Sequence, residues 1–271
     1  MADELLLDHP LNRSVGLDPD EFAGLSRADL VGLRGLAAAQ TLAGLTQSLA
    51  GGATGIDTSK WNHYLDFPVI VEEGGVDWYA TKATQAGTTV DPMWERNRAG
   101  AESVPFRARL AYHWLSPTVP VSVQADHFVR TVGSFDGTWR PMCDVEQDGV
   151  TASMAAEWCD RVEQHAQVDA AAYSGVFVAG GTVWKSTLLF NGRRPRILAA
   201  YTSEARMRQL VAQHGGGHMP DVWQNLGEQG RCPGVGRLTP TGALQSLPCD
   251  NDVVLDWTKF DALCGSTPEE A

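Results

Sequence analysis

Residues 140–174, RPMCDVEQDGVTASMAAEWCDRVEQHAQVDAAAYS, read as strand, helix, strand. A short apolar run spans 140–146, a helical stretch 152–167, and a second run 170–174. The same alternation continues outward in both directions. Further strands are expected at 54–58, 76–84, 107–115, 196–201, 221–224 and 252–256, and helices at 93–103, 121–132, 204–213 and 258–264. Eight strands alternating mostly with helices point to an α/β barrel built on a parallel sheet, and an open doubly wound sheet suits the pattern almost as well. The chain has 271 residues, and one such barrel typically takes about 250. A barrel with a short appendage therefore fits the length.

The appendage is residues 1–53, an expected N-terminal helical arm, and the barrel domain is 54–271. Ser26, with Asp29 three residues later, makes a plausible helix start. Leu42, Leu45 and Leu49 then recur at helical spacing until Gly51 and Gly52 end the pattern. Such a helix either packs on the barrel or serves as a docking segment.

Polar residues gather at the predicted strand ends. Asp57 ends the first strand, Asp144 and Glu146 close the fourth, and Asp250 and Asp252 sit beside the last. In a barrel of this kind the C-terminal strand ends carry the active site. Residues two apart on a strand share a face, which places Asp144 and Glu146 on one side, roughly 6–7 Å apart at Cα. If Val145 faces the helices, both carboxylates face the mouth. Two carboxyl groups that close oppose each other's ionisation, so one is held as an acid while the other remains an anion. Glycoside hydrolysis needs that division: a proton for the leaving oxygen and negative charge near a cationic transition state. On spacing alone an Asp-x-Glu pair reads first as a solvated strand end, and the pair by itself is a weak signal.

Composition excludes other classes. The formal net charge is −12, unlike the basic stripe of a nucleic-acid-binding protein, and it also argues against docking on an anionic membrane. Much of that charge lies at the ends. Residues 1–53 hold seven acids and three bases, and residues 250–271 hold six and one. The apolar-rich stretch 36–50 is interrupted by Gln40, Thr41, Thr46, Gln47 and Ser48 and falls short of a spanning helix. The start of the chain lacks the basic region of a signal peptide. Five cysteines form no C-x-x-C pair, so no structural zinc site is expected. Cys143 with Cys159, or Cys232 with Cys249, are possible pairs that the sequence does not decide. No cofactor and no metal are expected; His214-Gly-Gly-Gly-His218 reads as a loop rather than a metal clip.

Eight short motifs follow one another along the domain: Gly55-Ile-Asp-Thr-Ser-Lys-Trp61, Thr81-Lys-Ala-Thr84, Val90-Asp-Pro-Met-Trp-Glu-Arg-Asn97, Ala111-Tyr-His-Trp114, Asp144-Val-Glu146, Ala172-Tyr-Ser-Gly175, Val222-Trp-Gln224 and Cys249-Asp-Asn-Asp-Val253. In that order and at those separations the chain resembles the glycoside hydrolase family 25 muramidases, over roughly residues 54–261. The resemblance implies a flattened β/α barrel with an incomplete set of helices. It also implies hydrolysis of the β-1,4 bond between N-acetylmuramic acid and N-acetylglucosamine. By position, Glu146 matches the family's general acid and Asp144 the partner that assists the substrate's acetamido group. Asp57 and Asp250 match the other cleft aspartates. Tyr112 and Tyr173 fall where the family places cleft aromatics. His113, Trp223 and Asp91 join them as expected substrate contacts, although His113 reads as well as a packed, hydrogen-bonded histidine, and Asp91 and Asn97 lie in a shared loop whose role is mainly structural.

The chain departs from the family at Gln85, where a glutamate is usual, and at Ile197, where a tryptophan is usual. These positions put substrate preference in question. The leading expectation is a peptidoglycan hydrolase. The expected partners are the bacterial wall and, through residues 1–53, other virion proteins. Its expected setting is a phage tail, or the host cytoplasm before holin-dependent release. The competing expectation is a catalytically weak wall-binding or structural virion protein that keeps the barrel.

Overall fold

Strand order decides between the two sheet architectures. The computed structural model describes residues 54–135, 139–227, 230–239 and 244–256, so the expected arm at 1–53 and helix at 258–264 lie outside the described residues. The strands, in chain order, are β1 (Thr54–Thr58), β2 (Tyr64–Leu65), β3 (Val76–Gln85), β4 (Thr89–Val90), β5 (Ala108–Trp114), β6 (Arg140–Asp144), β7 (Ala171–Ser174), β8 (Arg196–Ala199), β9 (Val222–Leu226), β10 (Val235–Leu238), β11 (Leu244–Ser246) and β12 (Asp250–Val254). The α-helices are α1 (Phe67–Glu72), α2 (Trp94–Glu102), α3 (Val121–Val132), α4 (Ala152–Ala166) and α5 (Glu204–His214). Pairing runs β1-β12-β9-β8-β7-β6-β5-β3, and β1 also pairs with β3, which closes the ring and excludes an open sheet. Strands β10, β11 and β2 form a separate small sheet.

Seven ring strands are parallel, but β12 runs antiparallel to both β1 and β9. The parallel sheet expected from the sequence holds for those seven strands, and β12 departs from it. Among its described residues the segment between β9 and β12 holds the antiparallel pair β10 and β11 rather than a crossover helix, and a chain returning without a crossover runs antiparallel. After β7 the chain makes only a 3-10 turn, Val178–Gly181. The helix set is therefore incomplete.

Local chemistry sets the helix ends. The Thr151 side chain accepts from the Met154 N–H to start α4, and Ser203 does the same from Arg206 for α5. Asp66 caps α1 through the Val69 N–H, with Pro68 in the first turn. Gly133, at φ 77°, ends α3.

Two apolar layers hold the ring. Inside it, Trp78, Leu110, Met142, Ala171, Ile197, Val222 and Val254 fill the floor. Gly55 is required there: a Cβ on it would lie 1.9 Å from the Trp78 ring. Between ring and helices, Trp94, Phe128, Trp139, Trp158 and Trp184 are wholly buried. Side chains of this kind each contribute roughly 1.5–3 kcal/mol or more through burial. In the stretch before β8 the buried Arg194 guanidinium donates to Glu163 at 2.6 and 2.7 Å, tying that stretch to α4. Cys143, Cys159, Cys232 and Cys249 are buried free thiols. No helix among the described residues is long and apolar enough to cross a membrane.

Candidate active site

Strand alternation sorts every candidate residue. On β6, Met142 faces the ring interior with the floor residues, while Cys143 and Val145 pack in the outer layer. Asp144 and Glu146 therefore point inward, above Met142. Strand β6 ends at Asp144, two residues earlier than expected, yet the Val145 N–H still donates to the Tyr173 carbonyl at 2.9 Å. That bond carries the alternation on to Glu146.

The same logic brings together Asp57 on β1, Lys82 on β3, Tyr112 on β5, Tyr173 on β7 and Gln224 on β9, with Tyr201 just beyond β8. Because β12 is antiparallel, its first residues lie at this end, and Asp250 pairs in register with Asp57. Asp252 follows on the same face. The four expected catalytic carboxylates and both expected tyrosines thus share the barrel mouth.

A hydrogen-bonded network fixes one wall. The Tyr173 and Tyr201 hydroxyls each donate to Gln224 Oε1 at 2.6 Å. The Gln224 amide nitrogen in turn donates to Asp57 Oδ2. One glutamine side chain therefore orients two phenols and a carboxylate, using both its acceptor and its donor.

The electrostatics follow from crowding acids in a partly dry mouth. Burial pushes Glu146 up to about 7, helped by the Asp57 charge, while a hydrogen bond to Tyr173 and the Lys82 charge pull the other way. Asp57 rises to about 6, mainly through burial, against the pull of its Gln224 bond. Asp144, 4% exposed, is pushed well above the ordinary carboxylate range by burial and then by Glu146. Asp252 rises likewise, through burial and the charges of Asp57 and Asp250. Carboxyls crowded in this way take up and release protons as a coupled group rather than one by one. Tyr112, Tyr173 and Tyr201 are pushed up by burial and by these carboxylates. They remain neutral donors.

Two expected substrate contacts, His113 and Trp223, face away from the mouth, and a third, Asp91, has a structural tie. His113 follows Tyr112 and so faces the opposite side of β5. It is wholly buried, bonded to the Thr84 hydroxyl at 2.7 Å and to Gln124 at 3.1 Å, and stacked on Trp158. Burial depresses it to about 3, so it is a neutral packing residue. Trp223 also faces outward, and its indole N–H donates to the Ala200 carbonyl at 2.7 Å. Its neighbour Gln224 occupies the inward place. Asp91 is buried, with its two oxygens accepting from the Lys60 and Met93 backbone N–H groups. It ties the loop before α2 to the segment after β1, which gives it a structural role there.

Lys82, Tyr201, Gln224 and Asp252 are the mouth residues to which sequence reading gave no role. Strand parity is the signal that finds them: each lies two or four residues beyond an interior floor residue, or before one on the antiparallel β12. Among the described residues no group of three or more His, Cys, Asp or Glu side chains is arranged to hold a metal ion.

Comparison with known proteins gives the same assignment. "Uncharacterized protein YegX" of Escherichia coli K12 is 31% identical over 131 residues, which span 45% of this chain and 47%, about half, of that protein. The bacterial lysozyme from Streptomyces coelicolor superposes with a TM-score of 0.61 at 19% identity, covering 79% of this chain and 97% of that one. The catalytic domain of endolysin ply40, from bacteriophage P40 of Listeria monocytogenes, gives a TM-score of 0.55 at 15% identity over 80% and 98% of the two chains. At these identities the two structures establish a shared fold. The sequence profile described as Glycosyl hydrolases family 25 matches residues 56–234, the greater part of the barrel, and on that match the chain belongs to glycosyl hydrolases family 25.

Proposed function

We propose that this protein hydrolyses the β-1,4 bond between N-acetylmuramic acid and N-acetylglucosamine in bacterial peptidoglycan, with Glu146 as general acid. The observation that carries the reading is the inward-facing Glu146 carboxyl, raised to about 7 beside the similarly raised Asp57. A carboxyl at that value still holds a proton at neutral pH and gives it up readily.

In the proposed reaction Glu146 delivers its proton to the glycosidic oxygen as the bond to the sugar C1 breaks. The substrate's acetamido oxygen closes on C1 from the other face, and Asp144 orients the amide and offsets its developing positive charge. Water then opens the cyclic intermediate and its proton returns to Glu146. Because the substrate supplies the nucleophile, no enzyme carboxylate is needed at covalent distance. Asp57 and Asp250 add negative charge around the cationic centre, and Tyr112 and Tyr173 offer donors and apolar faces to the sugars.

Membership of the family and the fold shared with a phage endolysin support a wall-degrading role. We place the protein as a phage-borne lysin, either tail-associated or free, acting on the bacterial wall. The test is purified protein on peptidoglycan, scored for new reducing ends, with Glu146→Gln beside it. The wild type should release ends, and the variant should lose about 10²–10⁴-fold in kcat. Equal release by both would overturn the acid assignment. No release by either, with retained wall binding, would favour a wall-binding module.

A further inference from the structure

Five carboxyl groups crowd the mouth, yet one ammonium group reaches in from the strands on that side. Lys82 projects from β3, in register with Tyr112 on β5, while Trp114, also on β5, is in register with Asp144 on β6. The Lys82 ammonium donates to Gln85 Oε1 at 2.8 Å and lies 4.7 Å from the centroid of the Trp114 ring. Both contacts are neutral.

We propose that Lys82 is the positioning cation of this cluster: held between Gln85 and Trp114, it keeps one of Asp144 and Glu146 anionic while the other retains the proton that is lent to the glycosidic oxygen. The proposal rests on the acid role given to Glu146 above and names how that role is set.

The anchoring explains why the charge is useful. A direct ion pair would commit the ammonium to a single carboxylate and largely cancel it there. A neutral amide and an indole face fix its place instead, and its field reaches the whole pair. The charged groups bearing on Lys82 are Asp144 first, then Asp91, Lys60 and Glu146. Its own charge is opposed chiefly by burial and favoured by these acids. The pair gains an anion from Lys82 only while residue 85 stays neutral. A glutamate at that position would sit at hydrogen-bonding distance from the ammonium and take up its charge.

The direction of the effect is fixed by sign. Removing a nearby cation makes each carboxyl harder to ionise, so both the acidic and the alkaline limb of the kcat profile move to higher pH. The experiment compares the whole chain with Lys82→Met, Lys82→Arg and Gln85→Glu on peptidoglycan from pH 4 to 9. Lys82→Met should move both limbs up by about half a unit or more and lower kcat at pH 6. Lys82→Arg should restore the limbs, and Gln85→Glu should move them the same way by less.

Carbon-13 titration of the Asp and Glu carboxyls, read without substrate, should show the same upward displacement in Lys82→Met. That readout separates the two ideas, since it responds to Lys82 even if peptidoglycan is not the substrate. Unmoved limbs and unmoved carboxyl titrations would reduce Lys82 to a structural residue. Should Lys82→Met fail to fold, Gln85→Glu carries the same test by the same two readouts.

Discussion

The floor and the mouth of the barrel are built from the same strands and are opposite in chemistry. On β6 the step from Met142 to Asp144 crosses from one to the other, on β7 the step from Ala171 to Tyr173, and on β9 the step from Val222 to Gln224. Each step is two residues, roughly 6–7 Å. The floor stabilises the fold by burying apolar surface. The mouth costs stability, because it gathers carboxyls that would rather be ionised in water. One short distance separates stability from chemistry. Trp78→Ala probes the floor where it is most filled: the ring is 1% exposed and packs on Gly55. Its removal should cost about 3–5 kcal/mol by denaturant unfolding. Activity per folded molecule should hold. A lost kcat at unchanged stability would break the division.

His113 sharpens the comparison across the sheet rather than along it. His113→Phe keeps a ring against Trp158 but strands the Thr84 hydroxyl and takes one bond from Gln124, which keeps those to Ser116 and Val119. Losing those partners should cost about 1–3 kcal/mol. KM should not change, and a raised KM would return His113 to the cleft.

The same residue shows what the sequence made legible. Alternating strands and helices located all eight ring strands within a few residues, because each carries apolar residues gathered between turn-forming stretches. Asp57, Asp144 and Glu146 were legible from their places at the ends of strands, whereas Asp250 begins its strand, was legible only through the family resemblance, and reaches the mouth because β12 is antiparallel. Faces were harder. His113 and Trp223 sit beside mouth residues in sequence, and only the register of each strand shows that they point away. Hydrogen-bond partners were harder still. Nothing local marks Gln224 as the amide joining Tyr173, Tyr201 and Asp57, since those residues lie 51, 23 and 167 positions away. The antiparallel β12 depended on the β10–β11 pair before it, whose short strands carry few apolar residues.

Stability against pH tests the mouth. Asp57 and Glu146 rise from 3.8 and 4.5 to about 6 and about 7 on folding. Between about pH 4 and 7 the folded chain therefore holds protons that the unfolded chain has released, and their contribution to stability falls as pH rises. His113 acts in the opposite sense: its value drops from 6.5 to about 3, so stability is lost as pH falls through that window. Subtracting Glu146→Gln from wild type isolates the carboxylate. The variant should match wild type at pH 4 and exceed it at pH 8, by on the order of 1–2 kcal/mol. A variant less stable at pH 8 would mean that the mouth is not under charge strain.

The smallest expected effect falls on the boundary between the two regions. Ile197 stands where the family usually has a tryptophan, which raised the question of a lost cleft contact. It is 1% exposed, on the inner face of β8 among the floor residues, and lies in register with Tyr173 and Val222. A side chain so placed meets neighbours and not substrate. Ile197→Val removes one methylene and should cost about 0.5–1.5 kcal/mol, with KM and kcat on peptidoglycan unchanged. Ile197→Trp sharpens this further. The floor is already filled by Trp78, so the larger ring should overpack and cost about 1–3 kcal/mol. If the tryptophan instead lowered KM at undiminished stability, position 197 would belong to the mouth, and the line between the two regions would have to be drawn one layer deeper.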